Sequence, residues 1–584
     1  MTTVQTSLRE FLFTDPVPAS LKISVLSAKD GVEVYDISFD EPQPVGNLRF
    51  VTGFPMKKLL SVWSPSIFRD RAAHQWFRPT TANSNFYSGV PMMGAVSEGK
   101  TNYVTVALSD AVADNRIQFY VNDFAEENRV EFAFTLLCGQ LKKSSHHVQL
   151  RLDTRALPFS EVTEGFADWF LTFYPDRRAL PEAAEEPLYS SWYNFHQHPN
   201  SALLSPELKE AAALGFKTLI IDDGWQYDDH GTSNYVLCGD WTVSKQKFPD
   251  LRALVDEAHS YGIKVMLWFC VPFVGIQNPS YERFKDKLLY AREDDLIGAG
   301  ILDPRYAEIR EHLIQIYCDF VREYDLDGLK LDFIDSFRIE DSTPPANDQM
   351  DVPDLSDAII RLLSDIETRI AEIKPEPLFE YRQNYVGHAI NRFGQMLRVG
   401  DCAFDSVTNR IGIADLRLLH YHTAVHSDML YWAPDETPEN CARQMLNILF
   451  SVPQISVLLT QSTAEQKKAV GAFLRYWKAH QKTLLHGRFT PAGMDTNYTV
   501  LESEDAERKI VAVYGSAPVT LTEKPTDVFN GTPEAGLVVE NAAGETLCGV
   551  VYDCFGEETA KLTLAAGQLI RCAVPVGGRV EWTK

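Results

Sequence analysis

The segment Gly328-Leu-Lys-Leu-Asp-Phe-Ile-Asp335 sets a lysine and an aspartate two residues apart inside an apolar run. Alternate residues of a strand share a face, so Lys330 and Asp332 point the same way. A buried carboxylate costs several kcal/mol (order of magnitude) unless a partner or a task compensates. The lysine favours the charged form that a nucleophile needs. A structural Lys–Asp pair closing the strand fits this segment equally well.

Other residues decide between the two. Asp222-Asp223-Gly224-Trp225 puts two acids side by side at a strand end, where they repel unless a ligand or a strong donor set holds both. Arg398-Val-Gly-Asp401-Cys-Ala-Phe-Asp405 supplies further carboxylates. Glycoside cleavage requires one carboxylate as nucleophile or base and one as proton donor. Asp332 and Asp401 form the natural pair, with Asp405 the rival for the acid. Asp401 is expected to hold a proton near neutral pH, through desolvation and the charge of Asp332. Arg398 would oppose that shift in direct contact, so it is assigned to substrate or to Asp405. Trp192, Trp225, Trp268 and Arg382 fall at further strand ends, where aromatic faces and polar groups suit a sugar. His420, His422 and His426 cluster, but no acid lies between the i, i+4 pair and a helix-to-strand change separates them, so no metal site is expected. GxGxxG and Walker patterns are absent, and no cofactor is expected.

The positioning elements follow from periodicity. Up to about residue 157, short alternating runs such as Val32–Phe39, Arg116–Val121 and Val130–Leu137 suggest an antiparallel β-sandwich. Ser160 to Tyr174 reads as an amphipathic helix, followed by a polar linker from Arg177 to Pro187. Eight apolar runs then alternate with helices: Leu188–Tyr193, Thr218–Asp222, Lys264–Phe269, Gly328–Phe333, Leu378–Tyr381, Met396–Val399, Ala424–Tyr431 and Gln454–Leu459. A (β/α)8 TIM barrel fits, with its active site where the strands end. One helix is expected to open at Ser205-Pro206, with Ser205 as its cap. After Leu485 short strands return. The expected chain is multidomain α/β, with a sandwich over 1–158, helix and linker over 159–186, the catalytic barrel over 187–485 and a small antiparallel C-terminal β domain over 486–584.

Bulk properties agree with an enzyme. The 584 residues exceed one ordinary core. A net charge of -25 argues against nucleic acid and anionic membranes. Nine scattered cysteines without a CxxC pair, and no apolar stretch long enough to span a bilayer, read as cytoplasmic.

The motifs Leu219-Ile-Ile-Asp-Asp-Gly-Trp225, Gly239-Asp-Trp241, Lys247-Phe-Pro249, Leu267-Trp-Phe269, Leu302-Asp303 and Lys330-Leu-Asp332 occur in an order that resembles family 36 glycoside hydrolases, the α-galactosidase clan that includes the raffinose synthases. The resemblance runs from about Trp192 to Asp335 and weakens toward Asp401. It implies that Asp332 is a nucleophile forming a covalent glycosyl-aspartate and Asp401 the acid/base. It further implies that Asp222 and Asp223 bind the 4- and 6-hydroxyls of galactose, that Lys330 contacts substrate and that Trp241 is an aromatic wall. No metal or cofactor is implied, and self-association is left open. Strand five departs from the family's Cys- and Gly-rich pattern, reading Phe379-Glu-Tyr-Arg-Gln-Asn384, and the N-terminal domain is short. The expectation is a retaining exo-α-galactosidase acting on small α-galactosides. The alternatives are another α-hexoside, transfer to a sugar acceptor, or a non-catalytic carbohydrate-binding protein.

Overall fold

The alternating runs of the first 150 residues form two six-stranded antiparallel sheets. Phe50, Phe132 and Phe134 from one sheet meet Tyr35, Val104 and Leu150 from the other in a single apolar core. The computed structural model describes residues 1–584 except 15, 125–127, 140, 177–178, 229–233 and 421; Arg177 and Arg178 of the expected linker lie outside the described residues. The expected helix spans Phe159–Leu171. The compact unit built on the sandwich comprises Met1–Arg178, Gln383–Arg392 and Asp415–His422.

A second unit comprises Ala179–Arg382, Phe393–Ala414 and Thr423–Lys584. Its eight parallel strands are β1 (Leu188–Ser190), β2 (Thr218–Ile221), β3 (Lys264–Cys270), β4 (Gly328–Asp332), β5 (Leu378–Arg382), β6 (Met396–Arg398), β7 (Ala424–His426) and β8 (Gln454–Ile455). Neighbours in sequence pair from β1 to β7, β8 pairs with β1, and a parallel bridge between His426 and Val452 links the ends of the sheet. Strands β1, β7 and β8 are shorter than expected: a short helix, Trp192–Phe195, follows β1, and beyond β7 only a single parallel bridge among the described residues, Leu430 to Ile455, continues the pairing. An antiparallel insertion, Phe273–Gly275, Leu288–Arg292 and Ala299–Leu302, follows β3.

Two expectations need correction. The helix before β2 spans Ser201–Leu214 and is capped by Asn200, whose side chain accepts from the Leu203 N–H. Ser205 is therefore not its cap, and Pro206 sits inside it. The C-terminal domain is not purely antiparallel: Lys509–Val513 runs parallel to Thr526–Asn530, and Pro518–Leu521 parallel to Leu537–Asn541. Among the described residues no helix is long and apolar enough to cross a membrane.

Candidate active site

Strand β4 alternates between two environments. Leu329 and Leu331 are buried apolar residues, while Gly328, Lys330 and Asp332 share the other face. Gly328 is required for the pairing with β5, since a Cβ there would lie 2.1 Å from the Leu378 carbonyl oxygen. Asp332 ends the strand with both oxygens engaged. One accepts from Arg382 Nε at 2.6 Å and from the Phe333 N–H at 2.7 Å; the other accepts from Trp268 Nε1 at 3.0 Å. Burial pushes this carboxyl upward, but Arg382, Lys330 and the indole donor outweigh it and hold Asp332 well below the usual carboxylate range. The side chain is therefore a fixed, ionised carboxylate.

Lys330 reaches across to β2, where its Nζ donates to Asp222 at 2.6 Å with both groups buried. The other Asp222 oxygen accepts from the Asp223 N–H. Asp223 accepts from Gln197 Nε2 at 2.6 Å and Gln226 Nε2 at 2.7 Å. Burial raises its pKa to about 6, against the pull of the two amides and with the help of Asp222 and Asp332. The adjacent acids thus coexist because separate donors hold each. Lys247 Nζ ties the turn by donating to the Gln197 and Gly224 carbonyls, each at 2.9 Å. Gln197 and Lys247 were not foreseen as site residues, although Lys247 lies in a motif the sequence exposes.

Gly224 has φ 107°, and a Cβ there would lie 2.4 Å from the Gln197 carbonyl oxygen. Gly224→Ala should therefore displace Gln197 from Asp223 and cost about 1–3 kcal/mol. Denaturant unfolding measures this, and an unchanged midpoint would contradict it.

On β6, Arg398 is almost wholly buried, and its guanidinium pairs with Asp428 beyond β7, donates to Asp401 at 2.9 Å and lies 3.6 Å from Glu380. This corrects its assignment to substrate or Asp405: the rotamer that satisfies a buried guanidinium points at the nearest carboxylates. Consequently Asp401 is not held protonated. Partial desolvation among its neighbours raises it, but Arg398 and Lys330 prevail over that and over the charge of Asp332, so it lies below its ordinary value. Its side chain is 60% exposed. Asp428 also accepts from the Cys402 N–H at 2.6 Å and from Tyr193 OH at 3.2 Å, and burial raises it to about 6. Asp405 accepts from the N–H and hydroxyl of Thr408 at the start of the helix Ser406–Arg417, a helix cap in place of the expected substrate or acid role.

Glu380, pushed upward by burial, accepts from Gln454 Nε2 at 2.6 Å; the same amide lies 3.0 Å from His426 Nδ1, while His426 Nε2 lies 2.7 Å from the Ala184 carbonyl. Burial lowers His426 to about 4, so it serves as a neutral link. Among the described residues no group of His, Cys, Asp and Glu is arranged to hold a metal ion.

The tryptophans divide. Trp268 binds Asp332 directly, and Trp192 is half-buried beside Tyr193 and His196. Trp225 is fully buried, donates to the Trp268 carbonyl at 2.8 Å and packs on Phe269 and Phe320. It belongs to the core, which corrects its expected sugar contact. Trp241 stacks on Trp225, and its indole N–H finds no hydrogen-bond partner among the described residues.

Residues 177–380 match the melibiase family model. An α-galactosidase of Pediococcus pentosaceus, α-galactosidase 2, is 26% identical over 178 residues, 30% of this chain and 24% of that relative. The chain thus spans about a quarter of that curated relative's length. The Escherichia coli α-galactosidase is 30% identical over 94 residues, 15% of this chain and 13% of that one. Among solved structures, the family 36 α-galactosidase AgaB of Geobacillus stearothermophilus has a TM-score of 0.64 at 14% identity, covering 98% of this chain and 83% of that chain. An AgaA variant from the same organism, solved with raffinose, has a TM-score of 0.63 at 14% identity, covering 96% and 81%.

Proposed function

We propose that this chain, of the family 36 α-galactosidase type in its barrel motifs and its fold, is a retaining exo-acting α-galactosidase on small α-galactosides. The observation that carries this reading is a buried, ionised Asp332 at the end of β4, accompanied by an Asp401 open to solvent.

In this reading Asp332 attacks the anomeric carbon and forms a glycosyl ester while Asp401 protonates the departing oxygen. Asp401 then takes a proton from water, which releases the sugar with retained configuration. Asp222, Asp223 and Lys330 offer acceptors and a donor for sugar hydroxyls, and the half-buried Trp192 offers an apolar face, while Trp268 and Trp241, buried like Trp225, back the site from the core. Because Arg398 keeps Asp401 ionised in the free protein, the acid form is reached at low pH or once substrate excludes water. The nine unpaired cysteines favour a reducing compartment, and we place the protein in the cytoplasm.

A panel of nitrophenyl glycosides tests the reading. The α-galactoside should be cleaved, with α-galactose as the first product by NMR. Turnover of a different glycoside alone would overturn the sugar assignment, and a β-configured first product would overturn retention.

Asp428 bears on the pH profile. Burial raises it to about 6, so it is already largely protonated at the acid pH where Asp401 titrates, and Asp428→Asn should leave the alkaline limb of kcat/KM in place. A limb displaced by a full unit in the pH–rate profile would show that Asp428 still carries its charge against Arg398 there.

A further inference from the structure

We infer that the outer face of one sandwich sheet, around Trp76 and Phe124, is a sugar-contacting surface for neutral oligosaccharides. Trp76, Phe77 and Phe124 are 48%, 67% and 81% exposed, a concentration of exposed aromatic area unusual for a surface with no task. The rings brace one another edge to face, with Trp76 centred 5.8 Å from Phe77 and 5.7 Å from Phe124. Backbone bonds anchor the platform: the Trp76 N–H donates to the Val121 carbonyl at 3.0 Å, and the Phe124 N–H to Asn122 Oδ1 at 3.2 Å.

Alternation along the strand Asn115–Asn122 places Gln118, Tyr120 and Asn122 on the same outer face. Together with Arg49, Trp76 and Phe124 they line a concavity of about 500 Å³, within the range of small-ligand sites. Two of its amides are held in place, Gln118 by Thr81 at 3.3 Å and Asn122 by the Glu131 carboxylate at 3.0 Å. Amide, phenol and guanidinium groups set among exposed ring faces match a polyhydroxylated ligand, whose CH face stacks while its hydroxyls hydrogen-bond. Among the described residues Arg49 is the only cation in this lining, which suits a neutral ligand better than a phosphate or an acidic peptide. A second copy is disfavoured, since each chain carries a net charge of -25.

The oligosaccharide class rests on the function proposed above, and the test separates the two. The full-length chain carrying Asp332→Asn, which prevents turnover, is titrated calorimetrically with stachyose and with galactose. Stachyose should occupy two classes of site in this parent, and adding Trp76→Ala, Phe124→Ala or Gln118→Ala should weaken one class on the order of tenfold while leaving the other, and galactose binding, within about twofold; Trp76→Phe should restore most of the lost affinity. Equal stachyose binding in all variants, or none in the parent, overturns the inference. So does a change from dimer to monomer in light scattering on Trp76→Ala, which would make the patch a self-interface. Should Trp76→Ala melt early, Gln118→Ala and Trp76→Phe still decide. Failure of the wild type to cleave any α-galactoside would instead strike only the proposed activity.

Discussion

Asp332→Gly is expected to lower cleavage of p-nitrophenyl α-galactoside by at least ~10⁴-fold, and azide should restore turnover by forming β-galactosyl azide. The expectation follows from the work this carboxylate performs in the proposed mechanism. It is held ionised against burial by Arg382, Lys330 and Trp268, so it presents a lone pair without awaiting a proton. Glycine removes that lone pair and opens a space at the end of β4 the size of a small anion. Arg382, which bonds Asp332 at 2.6 Å and lies 3.7 Å from Asp335, remains to attract azide. Azide entering from that side attacks the face the aspartate used, inverting the anomeric centre once and yielding the β-azide. A structural ion pair predicts otherwise: the variant would lose stability and no azide adduct would form. Wild-type turnover by Asp332→Gly would remove the nucleophile role altogether.

The architecture was legible because strand periodicity and strand-end polarity are local. Lys330 and Asp332 share a face by the period of two, and Asp222-Asp223 announces a strand end in any register. What escaped is what only closure of the barrel decides. Arg398 and Asp428 stand thirty residues apart in sequence, and nothing in spacing says that the chain beyond β7 turns back to meet the guanidinium. The pairing of Arg398 with His426 in the β6–β7 register puts Asp428, two residues on, beside it. The same blindness hid the bonds of Asp405 to Thr408, because an acid in a loop and an acid capping a helix look alike until the helix start is known. Trp225 failed for a related reason. The Asp-Asp-Gly turn, with Gly224 at φ 107°, swings the next side chain away from the mouth and into the layer beneath Trp268.

Strand β5 changes most in meaning. Its charged residues looked like an intrusion at the edge of a sugar site. Instead Arg382 anchors the nucleophile candidate, and Glu380 is a buried partner for Gln454, with Lys330 and Arg398 nearby in charge. The carboxyl groups around the mouth outnumber Lys330, Arg382 and Arg398, and burial answers this by raising Asp223, Asp428 and Glu380. Asp332 and Asp401 are instead lowered below their ordinary values, Asp332 by Arg382 and Lys330 and Asp401 by Arg398 and Lys330, while Lys330 and Arg398 also hold Asp222 and Asp428.

Asp401→Ala supplies the complementary result, since its effect should depend on the leaving group. With raffinose, whose departing alkoxide needs a proton, kcat/KM should fall by about 10²–10⁴-fold. With p-nitrophenyl α-galactoside the first step needs little acid help. Loss then falls on hydrolysis of the glycosyl-enzyme, KM should drop as that intermediate accumulates, and azide should accelerate turnover and yield the α-azide. The opposite product configurations from the two variants distinguish attack on substrate from attack on an intermediate, which neither rate alone could do. The sign of the pH effect is equally specific. Arg398 holds Asp401 below its ordinary value, so the protonated fraction of the free protein shrinks as pH rises from the acid side. Wild-type kcat/KM on raffinose should therefore decline toward alkaline pH, and Asp401→Ala should flatten that limb. An equal loss on both substrates, with the limb retained, would move the acid role away from Asp401. Asp405, already engaged by Thr408, would then have to break its helix cap to assume it.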